Sequence, residues 1–347
     1  MSFVPGEWSE HEAVWLTWPS MDTWWSSARS EVLQSFANLA SELSRAVLTR
    51  INCPLGAQAE ASKLLNSARA DLKNIEFFDH ATNDVWCRDS GAIFKIGEGG
   101  LEAIDFKYNA WGGKFPPWDL DDALASKMAK AAGAKCERVE NFICEGGALE
   151  FSADGILLTT DCVVQNPNRN RLSRGEVDDI LLKATGCKKV LRLPDGLAND
   201  DTDGHIDNLA RFTEAGVVLA ALCGKDNPSC YQLGENFALL KDFTDLEGRP
   251  LQVLPLPLPD ELVVLNGKIA PASYANYLVT NGAVFVPTFG QKRSDDRAMG
   301  IISEMFGGRS AVGIESRYFL MEGGTVHCLT QQQPLWKKAQ TKPTRKS

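Results

Sequence analysis

The chain has 347 residues, 44% of them hydrophobic, enough to fill one large core or to suggest two domains. Its 45 acidic residues outnumber its 36 basic ones and leave a net charge of −9, which argues against a general phosphate-binding surface and favours cationic partners.

In chain order, residues 1–20 read as loop, rich in tryptophan and acid (Glu7, Trp8, Glu10, His11, Trp15, Trp18). Val32, Phe36, Leu39, Leu43 and Val47 recur at three- and four-residue steps and predict a helix over 30–50. A short strand is predicted over 75–78, and then NDVWCRDSGAI (83–93) crowds two aspartates, Arg88 and Trp86 at a strand end. YNAWGGKFPP (108–117) is too rich in Gly, Pro and aromatics to be regular. A helix over 120–132 is stopped by Gly133, and Glu145, Gly146 and Gly147 precede a strand over 156–164. Ser173 and Glu176 have the spacing of a capping box, opening a helix whose face is Val177, Ile180, Leu181 and Ala184 before Gly186. A strand over 189–193 leads into the most acidic stretch, LPDGLANDDTDGHIDN (193–208). A strand over 217–222, a polar helix over 227–243, a Pro-punctuated run over 251–259, a strand over 284–287 and a helix over 295–306 follow. They lead to MEGGTVHCLTQQQP (321–334), and the basic residues of 336–347 read as a frayed polar end.

This alternation means α/β, and without a Ser/Gly-rich linker it reads as a single domain over 1–347 with its core at about 5–335. Nine cysteines at irregular spacing with no CxxC pair fit a reduced, cytoplasmic protein. None of the four histidines has a zinc-type spacing with cysteine, so metal catalysis is not expected. The start, MSFVPGEWSE, has no basic-then-apolar leader, and no apolar run is long enough to span a bilayer.

Polar clusters at Asp89, Glu145, His205 and Cys328 are separated by about sixty residues, or twice that, which suggests five similar units. One unit, near 284–289, is expected to carry no reactive residue. In a ring of such units the strand ends converge, bringing a thiol (Cys328), an imidazole (His205) and carboxylates (Asp89, Glu145, Asp207) into one pocket. Carboxylates repel the oxyanion of an amide substrate but pair with a planar guanidinium in charge-assisted hydrogen bonds. The expected chemistry is substitution at a guanidinium carbon. Asp89 and Asp207 hold the nitrogens, Cys328 attacks, His205 protonates the departing nitrogen and then activates water, and Glu145 orients His205 or a substrate N–H.

Each residue has a plainer reading. His205 and Asp207, two apart on a strand, suit a buried polar pair; Asp89 suits a local ion pair with Arg88; Glu145 suits a tight turn; Arg169 and Arg171 suit loop ion pairs. Trp86 and Trp111 are commonly core residues, although an aromatic face beside a guanidinium attracts it. Cys87, Cys144 and Cys162 read as packing residues, and Asp200, Asp201 and Asp203 as a solvated acidic loop or the holder of a second cation.

Seven segments carry a resemblance: EWSEHEAVWLTWP, NDVWCRDSGAIF, FKYNAWGGKFPPWDLDD, EGGALEFSADGILLTT, NRNRLSRGEVDDILL, DDTDGHIDN and EGGTVHCLTQQQP. With these the chain resembles the agmatine deiminases, grouped with the bacterial, Porphyromonas-type peptidylarginine deiminases in the guanidine-modifying superfamily. The resemblance implies a five-bladed, pseudo-fivefold α/β propeller of ββαβ repeats with a central site. It implies hydrolysis of agmatine to N-carbamoylputrescine and ammonia through a covalent thiouronium, without metal or organic cofactor. It places the guanidinium-binding acid at Asp89 with Trp86 beside it, and gives Glu145, His205, Asp207 and the nucleophile Cys328. Substrate contacts are expected at Trp86, Trp111 and Asp201, with the loop of Trp111 over the site mouth. Ala92 and Thr325 depart from the family pattern, which has proline and asparagine there. Peptidylarginine is the closest alternative substrate; an amidinotransferase, a non-catalytic guanidinium-binding module and a peptidase stand further off. The partner implied is a small cationic guanidinium, not a nucleic acid or membrane, and the family precedent favours a homo-oligomer.

Overall fold

A computed structural model describes residues 2–20 and 28–337, so the tail read at 336–347 lies outside the described residues except for Trp336 and Lys337. The chain is a mixed α/β protein. Among the described residues it forms five small sheets with one recurring plan, plus the hairpin Val264–Leu265/Lys268–Ile269. In each sheet a central strand pairs antiparallel on one side and parallel on the other. The orders are Ile93–Gly97, Gly100–Lys107, Lys135–Ile143; Glu150–Phe151, Ile156–Thr160, Lys189–Leu193; Ala210–Phe212, Val217–Leu222, Gln252–Pro257; and Leu278–Val279, Ala283–Thr288, Ser310–Glu315. The remaining sheet joins the chain's two ends. Thr330–Pro334 pairs antiparallel with His11–Thr17, which runs parallel to Leu48–Asn52 and on to Ile75–Phe78.

A parallel neighbour cannot be reached by a tight turn, so each unit needs a crossover, and a helix supplies it. Arg29–Ala46, Leu124–Ala131, Arg174–Thr185, Cys230–Asp242 and Lys292–Met305 each link a central strand to its parallel partner. Each buries one apolar stripe on the sheets. Phe36, Leu39 and Leu43 meet Val14, Leu16 and Ile51; Val177 and Leu181 meet Leu157; Ala298 and Ile302 meet Val284 and Val286. Each fully buried Leu or Phe of these layers stabilises the fold by roughly 1.5–3 kcal/mol. The capping box at Ser173 and Glu176 is formed, and Gly186 and Gly133 take the left-handed conformation that ends their helices.

Several expectations need correction. Residues 1–20 are not all loop: His11–Thr17 is a strand with neighbours on both sides. It buries Ala13, Val14, Trp15 and Leu16 in succession, so it lacks the alternation that betrays a half-exposed strand. The helix predicted to residue 50 stops at Ala46, because Leu48–Asn52 pairs between two parallel strands. The strand over 156–164 ends at Thr160 and turns into the short helix Asp161–Val164. Strands Gly100–Lys107 and Lys135–Ile143 carried no recognised pattern, the latter being a largely exposed edge with charged side chains. The proline-rich run contains strand Gln252–Pro257, also at an edge, where Pro255 and Pro257 leave no inner ladder bond unmade. No helix among the described residues is long and apolar enough to cross a membrane.

Candidate active site

Just before the first strand of each sheet the chain makes a tight turn, and the five turns meet. They are Cys87–Ser90, the 3-10 turns Gly146–Ala148 and Ile206–Asn208, and the stretches 273–276 and 325–328. They bring together Asp89, Glu145, His205 with Asp207, Asn276 and Cys328. His205 and Asp207 therefore stand not on a strand but on the cap and first turn of a 3-10 helix. The fifth unit is not blank either. Its inner turn lies one strand earlier than expected, and Asn276 donates from Nδ2 to Cys328 Sγ at 3.1 Å. Asn276 Oδ1 also accepts from the backbone N–H of His327 (3.1 Å) and from the hydroxyl of Thr325 (2.6 Å). Thr325 thus makes a specific contact at the position where it departs from the family pattern.

Asp89 accepts from Gly147 N–H and from the Trp111 indole N–H, both at 3.0 Å, and its Oδ1 lies 3.6 Å from His205 Nδ1. His205 Nε2 is 3.8 Å from Glu145 Oε2, an ion-pair distance too long for a hydrogen bond. Glu145 Oε1 accepts from Arg169 Nε at 2.8 Å. Arg169 also pairs with Asp203, which accepts from Lys114 Nζ at 2.7 Å, pinning the loop of residues 109–117 beside the site. The Cys328 thiol lies 3.7 Å from Asp207 Oδ2, which accepts from His327 Nδ1 at 2.8 Å. Glycine is required at two points of this packing. A Cβ on Gly147 would lie 2.6 Å from His205 Nδ1, and one on Gly324 would lie 2.2 Å from the Trp86 ring.

A cleft opens onto Asp89 and Cys328. Trp86, Trp111 and Phe115 wall it, and Asp84, Asp201 and Glu322 add carboxylates to its lining. His205, Glu145 and Asp207 are fully buried one layer behind. Both His205 ring nitrogens, Glu145 Oε2 and Asp207 Oδ1 have no hydrogen-bond partner among the described residues. Buried polar groups normally find partners, so the arrangement suits a planar ligand with several N–H donors.

The charges are strongly coupled. Burial raises the Cys328 thiol well above its ordinary range, and Asp207 and Asp89 push the same way. Burial opposes charge on His205, but Asp89 and Glu145 outweigh it and hold the imidazole up at about 9. Burial, with Asp207 and Glu145 adding to it, pushes Asp89 up to about 6. Against burial, the Arg169 guanidinium and His205 hold Glu145 down at about 2.

All five residues expected to carry the chemistry thus lie together, and Trp86, Trp111 and Asp201 line the cleft. Trp111 serves Asp89 through its N–H rather than offering only a ring face. Asp203 is taken up by Arg169 and Lys114, and the half-buried Asp200 accepts from the Thr202 hydroxyl at 2.6 Å, so of these three acids only Asp201 lines the cleft. Arg169 is an ion-pair residue as expected, but a buried one at the centre of the site. Cys87 and Cys144 are buried and Cys162 is half-buried, as packing residues. The sequence reading missed Asn276, Asp84, Glu322 and the role of His327. All but Asn276 stood in segments already singled out, Asp84 in NDVWCRDSGAI and Glu322 and His327 in MEGGTVHCLTQQQP.

A sequence profile of the Porphyromonas-type peptidyl-arginine deiminase family matches residues 3–334. The chain belongs to this family. It is 33% identical to the agmatine deiminase of Ectopseudomonas mendocina over 95% of each chain. It is similar to the solved structure of the agmatine deiminase of Enterococcus faecalis, with a TM-score of 0.90 at 29% identity over 97% of this chain and 96% of that one. A substrate-bound Cys→Ser variant of the C. jejuni agmatine deiminase has a TM-score of 0.87 at 32% identity, over 96% of each chain.

Proposed function

We propose that this protein is a C–N hydrolase that converts agmatine and water to N-carbamoylputrescine and ammonia. One observation carries the choice of substrate. Among the described residues the cleft leading to Cys328 is lined by four carboxyl groups (Asp84, Asp89, Asp201, Glu322), of which burial pushes Asp84 up to about 8, and by no lysine or arginine. Agmatine is positive at both ends, whereas the carboxylate of free arginine would face these acids without a partner. The names of the relatives support the same reading.

In the proposed path Asp89, Asp207 and Glu145 take the guanidinium N–H groups. The Cys328 thiolate attacks the central carbon, and His205 gives its proton to the nitrogen that leaves as ammonia. The resulting S-alkylthiouronium is then attacked by water, with His205 removing the water proton, and the C–S bond breaks to release the ureido product. Asn276 donates to the sulfur as its charge develops. The five units stand around this centre as a single-domain, pseudo-fivefold propeller. Assembly into a homo-oligomer and residence in the reducing cytoplasm, suited to nine free cysteines, complete the proposal.

Incubation with agmatine, arginine and an arginyl peptide, with assays for ammonia and ureido product, tests the substrate. Agmatine is expected to exceed arginine in kcat/KM by at least about 100-fold, because like-charge juxtaposition costs several kcal/mol. Turnover of the peptide without agmatine would overturn the substrate but leave the thiol chemistry standing.

The pH profile follows from the same charges. In the free protein Cys328 is a thiol, and the reacting complex has lost that proton while His205 keeps its own. kcat/KM therefore rises with pH toward about 9, where His205 begins to deprotonate, levels off there, and falls only where the thiol of the free protein itself ionises. The bound cation stabilises the thiolate, so kcat levels off at lower pH than kcat/KM. Steady-state kinetics with agmatine check this, and a kcat/KM that is flat from about pH 7 to 9 would contradict it.

A further inference from the structure

The motif EWSEH near the start of the chain does not line the cleft, and the mechanism above leaves it unused. Its acid is nevertheless buried beneath the site. Glu7 Oε2 accepts from His327 Nε2 and from Arg211 Nη2, both at 2.8 Å, and Oε1 accepts from the backbone N–H of Val279 at 2.7 Å. The other nitrogen of His327, Nδ1, lies 2.8 Å from Asp207 Oδ2. One imidazole thus stands between two carboxylates, and hydrogen bonds to both require each ring nitrogen to donate. The imidazole is fully buried and so cannot exchange these partners for water.

The consequence falls on Asp207. With Oδ2 held by His327, its Oδ1 is the oxygen left without a partner. His327 is also the residue before Cys328, so one side chain fixes the acid and, through the backbone, the sulfur. Arg211 is held in turn by Glu150 at 2.9 Å and by two backbone carbonyls, so Glu7 is anchored independently of the cleft.

We infer that Glu7 is a positioning residue of the reaction: through a doubly hydrogen-bonded His327 it fixes which oxygen of Asp207 meets the guanidinium and how the Cys328 sulfur faces the carbon. This rests on the guanidinium chemistry proposed above. It gives the N-terminal segment a part in the site without contact with substrate, as groups behind metal ligands orient those ligands.

Nitrogen-15 NMR of histidine-labelled wild-type protein at neutral pH tests the geometry without any substrate. The expected result is a His327 ring, told apart from the protonated His205 by its persistence in a His205→Asn protein, with both N–H protons protected from exchange, both lost or shifted in Glu7→Gln. A His327 ring with a single N–H would overturn the inference. In kinetics with agmatine, Glu7→Gln is expected to lower kcat by roughly 10- to 100-fold while KM moves far less, because Asp89 and Glu145 still hold the ground state. A folded Glu7→Gln protein with wild-type kcat would also overturn it. Should that variant not fold, Glu7→Asp keeps a charge opposite Arg211 but is one methylene short of His327. It should show the same kcat loss, and wild-type kcat there would refute the inference. If wild-type protein leaves agmatine unchanged, the substrate reading fails while the NMR result still decides the role of Glu7.

Discussion

Replacing Cys328 by alanine is expected to lower agmatine turnover by roughly 10⁴- to 10⁶-fold, the scale on which losing a covalent nucleophile is felt. The cleft offers no substitute. Its other lining groups are carboxylates, the Thr202 residue, glycines and aromatic rings, and none matches a thiolate as a nucleophile toward a guanidinium carbon. Serine at 328 should fare little better. Its hydroxyl would inherit the Asn276 contact, but the nearest carboxylate, Asp207, already accepts from His327. The fold should tolerate either change, since a small side chain at the base of an existing cleft is exchanged for another. The loss is thus expected in kcat, with agmatine affinity retained through Asp89, Glu145 and Asp207. Ammonia release measures the first and calorimetric titration of the inactive variant the second. Near-normal turnover by the alanine protein would rule out a covalent path.

Gly147→Ala is expected to cost on the order of 10²-fold or more in kcat/KM, although position 147 carries no reacting group. The added methyl carbon would stand 2.6 Å from His205 Nδ1, 2.8 Å from Asp89 Oδ1 and 3.1 Å from Asp207 Oδ2. None of the three is the free end of a flexible chain. Asp89 is tied to Trp111, Asp207 to His327, and His205 is enclosed. Relief therefore requires displacement of the groups whose mutual placement the reaction uses. The change should also lower the melting temperature, but activity measured well below that temperature separates the two effects. A folded Gly147→Ala protein with wild-type kcat/KM would show that the acid and imidazole positions are less constrained than these distances require.

Much of the site was legible because it is written in short segments. Asp89 follows Trp86 and Arg88, Glu145 precedes two glycines, His205 and Asp207 are two residues apart, and Cys328 follows His327. A recurrence of about sixty residues is a property of chain order, and it carries the ββαβ unit in it. Asn276 escaped notice because nothing around it forms a motif and its unit was sought one strand too late. Strand His11–Thr17 escaped because burial on both faces removes alternation, and the pairing that buries it comes from the far end of the chain.

The sequence by itself determined the kinds of groups available and the local shapes that present them: an apolar stripe for the helices predicted over 30–50 and after Ser173, a glycine pair after Glu145, a thiol after another glycine pair. Local shape follows from side-chain sterics and hydrogen bonding over a few residues, so it can be read without a partner. Tertiary structure decided which groups meet, and with that their charge states. Glu7 reaches His327 across a separation of 320 residues, Arg169 rather than solvent neutralises Glu145, and Asp203 is withdrawn from the entrance while Asp84 and Glu322 line it. A carboxylate's behaviour depends on its dielectric surroundings and on charges within a few ångströms, and only the folded chain specifies both.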